Sequence, residues 1–133
     1  LAKAGLDSIR ISLNSAQPDK HSAYYRPKGF SLKDVCRSIA TMKHYGRHVS
    51  LNYFVLPGCT DDPVEFAALS DLIREYRPDF IQLRNLNMDP EYYLRVINHR
   101  PALPPLGIRH WLQQLKAKFP DLGFGYFNPP LRL

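Results

Sequence analysis

An α/β architecture with parallel strands is predicted for this chain of 133 residues, and three observations predict it. Three short apolar runs, at residues 8–15, 49–56 and 80–86, each carry two polar residues two positions apart. One helix-like segment separates each run from the next, which is the spacing of βα units in a parallel sheet. Strand side chains alternate between faces, so the polar pair of each run looks to one side. These pairs are Ser12 and Asn14, then Ser50 and Asn52, then Gln82 and Arg84.

The elements follow in order. Leu1 to Asp7 reads as the last turn of a helix, with Gly5 as its stop, running directly into the first strand. There is no initiating Met, so the expectation is a piece of a larger protein. A polar loop is expected over residues 16–30, carrying Tyr24, Tyr25, Arg26 and Pro27. Ser31 with Asp34 three residues on then starts a helix, whose Leu32, Val35, Ile39 and Met42 share a face before Gly46 ends it. After the second strand, Asp62 is a good N-cap, Pro63 suits the first helical position and Glu65 completes a capping box. Phe66, Leu69, Leu72, Ile73 and Tyr76 form the buried stripe of that helix, and Arg77-Pro78-Asp79 stops it.

Beyond Leu86 the regularity is lost. Residues 87–90 are turn chemistry, residues 91–98 a short helix, and Pro101, Pro104 and Pro105 break what precedes them. A last helix is expected over 106–118, with Trp111, Leu112, Leu115 and Phe119 on its apolar side, and a last strand over 122–127. The fold class expected is α/β: a parallel βαβαβ half of a partial TIM-like barrel plus a C-terminal helical and strand extension. Residues 1–87 form the distal βα units, and residues 88–133 an extension packing on the same domain. A complete eight-stranded barrel needs about 250 residues.

Lys and Arg total 18 against 12 Asp and Glu, a formal net charge of +6. The cations are scattered, without the run that marks a basic arm, so the expectation is a solvated surface with some affinity for anions. Nucleic acid is not an expected partner. Cys36 and Cys59 belong to no metal-ligand spacing. With neither a signal peptide nor an apolar run of membrane length, a cytoplasmic protein with no membrane partner is expected.

The chemistry centres on the six polar strand residues. Parallel strands with helical crossovers normally have both faces buried. Polar pairs at comparable heights on three such strands are costly unless they meet water or a ligand. The competing reading is a solvated sheet face. Ser and Asn suit hydroxyls, amides and carboxylates, while Arg84 suits a carboxylate or phosphate in bidentate fashion. None is an obvious general base. Asp61 and Asp62 read as caps, the five histidines lie at no metal spacing, and Cys59 has no base beside it. Arg26 either meets an anionic substrate at the rim or sits in a loop whose tyrosines merely pack there. Side chains of this kind bind and orient, which implies that a cofactor carries the reaction.

The segments Ala-Gly-Leu-Asp-Ser-Ile-Arg-Ile-Ser-Leu-Asn-Ser, Val-Ser-Leu-Asn-Tyr-Phe-Val-Leu-Pro-Gly-Cys-Thr-Asp-Asp and Phe-Ile-Gln-Leu-Arg-Asn-Leu-Asn resemble the radical S-adenosylmethionine (radical SAM) superfamily. They look like the fourth, fifth and sixth βα units of its partial (β/α)6 barrel, in the molybdenum-cofactor cyclase-like and peptide-modifying branches. The resemblance covers roughly residues 1–87. It implies S-adenosylmethionine and a [4Fe–4S] cluster as cofactors of the intact protein, hydrogen abstraction as its chemistry, and a small molecule or peptide as substrate.

Carried over by position, the resemblance assigns Ser12, Asn14, Asn52 and Leu86 to the cofactor, and Ser50, Gln82, Arg84 and Arg26 to the substrate. Ser50 falls where the cyclase branch places a substrate-contacting lysine, which disfavours the cyclase substrate. Arg84 stands where an acidic residue is common. The CxxxCxxC loop that holds the cluster is not in this sequence, so neither cofactor is expected on this chain alone, which would be inactive. Self-association through an open sheet edge is expected. The alternatives are a non-catalytic α/β domain binding an anion or nucleotide, and an accessory subunit that docks a partner.

Overall fold

The computed structural model describes residues 8–25, 31–85, 88–101 and 103–126. The elements are β1 (Ser8–Leu13), α1 (Pro18–Tyr25), α2 (Leu32–His44), β2 (His48–Val55), α3 (Pro63–Tyr76), β3 (Phe80–Asn85), α4 (Pro90–Val96), α5 (Ile108–Lys118) and β4 (Gly123–Tyr126). The four strands form one sheet in the order β1-β2-β3-β4, every pair parallel. The α/β class and its βαβαβ core stand as the sequence predicts, with β4 extending the sheet.

Local chemistry explains the helices. The Asp34 carboxylate accepts the Ser31 N–H at 2.9 Å and closes the start of α2. Leu32, Cys36, Ile39 and Met42 then face inward, and Gly46 reverses the chain at φ 70°, a conformation glycine adopts without strain. Asp62 caps α3 by accepting the Val64 N–H at 3.1 Å, with Pro63 in the first turn. The same Asp-Pro pairing recurs at α4, where Asp89 accepts the Glu91 N–H at 3.3 Å. Both use proline where its missing N–H costs nothing.

One expectation is corrected between residues 16 and 30. Part of that loop, Pro18–Tyr25, is helix α1. Pro18 and Asp19 give it a helical start, yet only His21 is buried along it, so it leaves no apolar stripe for a sequence reading to find. The Arg26 to Phe30 portion lies outside the described residues.

The core lies on one side of the sheet. Leu13, Val49, Leu51, Tyr53, Ile81 and Leu83 pack with Ile39 and Met42 of α2, Leu69 and Ile73 of α3, and Trp111 and Leu115 of α5. Tyr53 stacks on Trp111 with ring centroids 6.0 Å apart and planes at 11°. Helix α5 therefore closes the same core that β1 to β3 begin. Burying a ring of that size stabilises the packing by several kcal/mol, about 3–5 in large-to-small replacements. The alternate residues of each strand face the other way, and on that face the chemistry changes.

Candidate functional site: the polar face of the sheet

Pairing register lines the alternate residues up in rows. Ser12 stands opposite Asn52, Asn52 opposite Gln82, and Gln82 opposite Gly125. One row towards the amino ends lie Arg10, Ser50, Phe80 and Gly123. One row towards the carboxyl ends Phe54 pairs with Arg84, and Asn14 follows the end of β1. Five of the candidate residues, Ser12, Ser50, Asn52, Gln82 and Arg84, thus share one sheet face in consecutive rows. Asn14 sits at its rim. Leu86 and Arg26 lie outside the described residues.

Burial separates these residues. Ser12 is exposed, Gln82 and Arg84 are half-buried, and Ser50 and Asn52 are 8% and 5% exposed. The Asn52 Oδ1 is buried without a hydrogen-bond partner. An unpaired buried acceptor costs about 1–3 kcal/mol, so this one fits a ligand or water that donates to it. Among the described residues Arg10 has no ion-pair partner, and it lines a 290 Å³ open pocket with His48, Ser50, Phe80 and Gln82. The floor of the face at β4 is aromatic. A side chain at Gly123 or Gly125 would place its Cβ 2.7 or 2.6 Å from the Phe80 ring, so the two glycines let that ring lie across the strand.

The carboxyl ends of β1 and β2 are roofed by α1 and α4. Tyr24 packs edge-on against Phe54 and Tyr93, with centroids 5.9 and 5.5 Å away. Asn14 donates through Nδ2 to the Lys20 carbonyl and to the Tyr93 hydroxyl, both at 3.1 Å. Of the two tyrosines on α4 it is Tyr93 that is buried, and burial pushes its phenol well above its ordinary pKa. Lys20 Nζ lies 2.9 Å from His99 Nδ1, while His99 Nε2 lies 3.2 Å from the Gly58 carbonyl. Only the imidazole with its proton on Nε2 satisfies both contacts. Burial first, and the Lys20 ammonium second, hold His99 below its ordinary pKa.

Two acidic residues act differently from their sequence reading. Glu65 sits where a capping box would place it, yet its carboxylate reaches across to the β1–α1 loop. It accepts from Ser15 Oγ at 2.5 Å, the Ala16 N–H at 2.8 Å, Gln17 Nε2 at 2.9 Å and the Tyr53 hydroxyl at 2.5 Å. Burial, then the Glu65 charge, raises the Tyr53 pKa. Asp61 caps nothing. It takes the Gly58 N–H at 2.6 Å and the Gly107 N–H at 2.8 Å, tying the start of α5 to the β2–α3 loop. Glu65, Lys20 and His99 were missed in the sequence because each is recruited across a long stretch of chain.

The thiols do not fit an iron–sulfur cluster. Cys36 is packed in the core and Cys59 in a small cluster with Tyr93 and Ile97. Burial raises both pKa values, that of Cys59 to about 11, whereas cluster ligands are thiolates. Among the described residues no group of three or more His, Cys, Asp and Glu is placed to hold a metal ion. Nor is any described helix long and apolar enough to cross a membrane.

A parallel α/β unit, helices packed on one face and a polar row gathered on the other, is the class of protein that fold and site define. No family model matches the chain. The chain is 35% identical over 94 residues to a protein of Methanosarcina mazei described as "Probable GTP 3',8-cyclase". The match takes in 68% of this chain and 28% of that relative, so the chain spans little more than a quarter of its length. The likeness supports a radical SAM relationship at the level of the family, and does not extend to substrate or activity.

Proposed function

We propose that the polar face is the ligand-facing wall of a radical SAM barrel, with this chain supplying its distal βα units and residues outside it supplying the cluster loop. One observation carries the reading: Ser12, Asn52 and Gln82 fall in one register row on the face away from the core, with the Asn52 Oδ1 buried and unpartnered. A ligand with ammonium or hydroxyl donors fits that acceptor. S-adenosylmethionine offers both, and when bound supplies the group from which such enzymes generate their radical.

On this reading Ser12 and Asn52 hold the cofactor side, by hydroxyl and amide contacts. Ser50, Gln82 and Arg84 present a neutral, donor-rich and cationic surface to a small molecule or peptide substrate. The described residues supply neither a cluster site nor an obvious general base, so their part is to bind and orient. Ser50 stands where the resemblance places a substrate-contacting lysine, which argues against a substrate like that named for the Methanosarcina mazei relative. The pairing groups of β1 and β4 that face outward form free edges in the described sheet, and such edges seek strands. Sedimentation of the isolated chain is therefore expected to show self-association, and a monodisperse monomer at high concentration would contradict the truncated-sheet part of the proposal.

The test is the coding sequence upstream of Leu1. A CxxxCxxC following a strand, roughly a barrel-half away, is the expected result. A start codon immediately before Leu1 would overturn the enzyme reading and leave an α/β binding domain, for which Arg10 and Arg84 on the polar face would be anion contacts.

A further inference from the structure

We infer that a single ordered water is bound between β1 and its α1–α4 roof, held by Asn14 Oδ1, Lys20 Nζ and the Tyr93 hydroxyl. The inference does not rest on the radical SAM reading.

Asn14 is 5% exposed, and its amide orientation is fixed by chemistry. Nδ2 lies 3.1 Å from the Lys20 carbonyl, and a carbonyl only accepts, so the nitrogen must be the atom there. The opposite atom, Oδ1, is therefore an acceptor, and it is buried with no partner. Asn14 lines a small chamber together with Lys20, Cys59, Thr60, Glu65 and Tyr93. The chamber offers about 10 Å³ to the centre of a water-sized sphere, close to the least that admits one water, about 10–15 Å³.

Size and charge select the occupant. The Lys20 ammonium on the wall opposes a metal cation or ammonium ion. The Glu65 carboxylate, also on the wall, opposes an anion and already has four donors. Cys59 adds no charge, since burial keeps its thiol protonated. Among the described residues, donors remain: Lys20 spends one N–H on His99, and Tyr93 accepts from Asn14 while its own proton is unused. Water is the species that can accept from these two and donate to Oδ1, giving the two to four polar partners that buried waters take.

The water makes Asn14 a positioning residue. Its amide is spent on Lys20, on Tyr93 and on the bound water, so it fastens the roof to β1. Asn52, one row lower on the next strand, keeps its free acceptor for a ligand.

A high-resolution crystal structure of the 133-residue chain, with water-to-protein cross-relaxation measured by NMR, tests this. The expected result is one density peak within hydrogen-bond distance of Asn14 Oδ1, Lys20 Nζ and the Tyr93 oxygen, with water cross-peaks to the Asn14 amide protons. In Asn14→Leu the density peak should be lost, and in Tyr93→Phe the peak should remain on its other two partners. An empty chamber in the unsubstituted protein, or a protein donor directly on Asn14 Oδ1, would overturn the inference whatever the variants do.

Discussion

The two faces of the sheet are made of the same strands and obey different rules. On the helical face Tyr53, Leu51, Val49 and Ile81 are fully buried and stack against Trp111, Ile39 and Leu69. The buried Glu65 carboxylate beside Tyr53 is satisfied by four donors. On the polar face the row Ser12, Asn52, Gln82 leaves an amide oxygen unpaired, and the row below leaves Arg10 without an ion pair among the described residues. One face spends its side chains on stability. The other holds polar groups in reserve, as ligand-binding walls do.

That contrast is breakable by substitution, and the largest effect should fall on the helical side. Trp111→Ala is expected to cost about 3–5 kcal/mol by removing the ring stacked on Tyr53, read from chemical denaturation. Ser12→Ala and Gln82→Ala on the opposite face should each stay within about 0.5 kcal/mol of the parent. Equal losses on both faces would erase the distinction.

The aromatic floor gives a sharper, intermediate test. Gly125→Val would drive its side chain into the Phe80 ring, since even a Cβ would lie 2.6 Å away. The expected cost is about 1–3 kcal/mol for overpacking. Adding Phe80→Ala should recover part of it, and a double-mutant cycle with no coupling would show that the ring does not lie across β4.

Proton linkage distinguishes the roof from the amino ends of the inner strands. His21 and His99 are held below the ordinary imidazole value of 6.5, His21 by burial, His99 by burial and then Lys20. A lowered folded-state pKa contributes stability that is present above 6.5 and lost as pH falls below it. Asp79 is also lowered. Burial opposes ionisation there, but the Lys43 bond at 2.6 Å and the Val49 N–H at 2.8 Å outweigh it. Its contribution is present above 3.8 and lost only under stronger acid. Thermal melts should fall first as pH drops below the imidazole value, and His99→Asn should reduce that first step to the share of His21 while leaving the Asp79 step. An unchanged first step would remove His99 from the roof's energetics.

How much of this was legible beforehand depends on distance along the chain. The strands, α2 and α3 were readable because their signals are local: alternation at Ser12 and Asn14, an apolar stripe at Leu32, Ile39 and Met42, an Asp-Pro start at Asp62. Helix α1 was not readable, because with only His21 buried it carries no stripe. Glu65 was ambiguous in principle, since a third-position glutamate serves equally as a cap or as a bridge, and Ser15 and Tyr53 decide the matter from elsewhere. The polar residues were visible as pairs, but their alignment into a row is a property of register between strands. Asn14 reads from its position as a ligand contact, and its bond to Tyr93, 79 positions away, has no signal in the local sequence.

The central claim is that the polar face is where a ligand sits. Titrating the isotopically labelled chain with S-adenosylmethionine and following backbone and side-chain amides by NMR tests it directly. On the proposed reading binding is no tighter than about millimolar, since the cluster that would anchor this cofactor would lie outside this chain, and the shifts it causes concentrate at Ser12, Asn52 and Gln82. Shifts confined to the helical surface, or none at saturating cofactor, would contradict it.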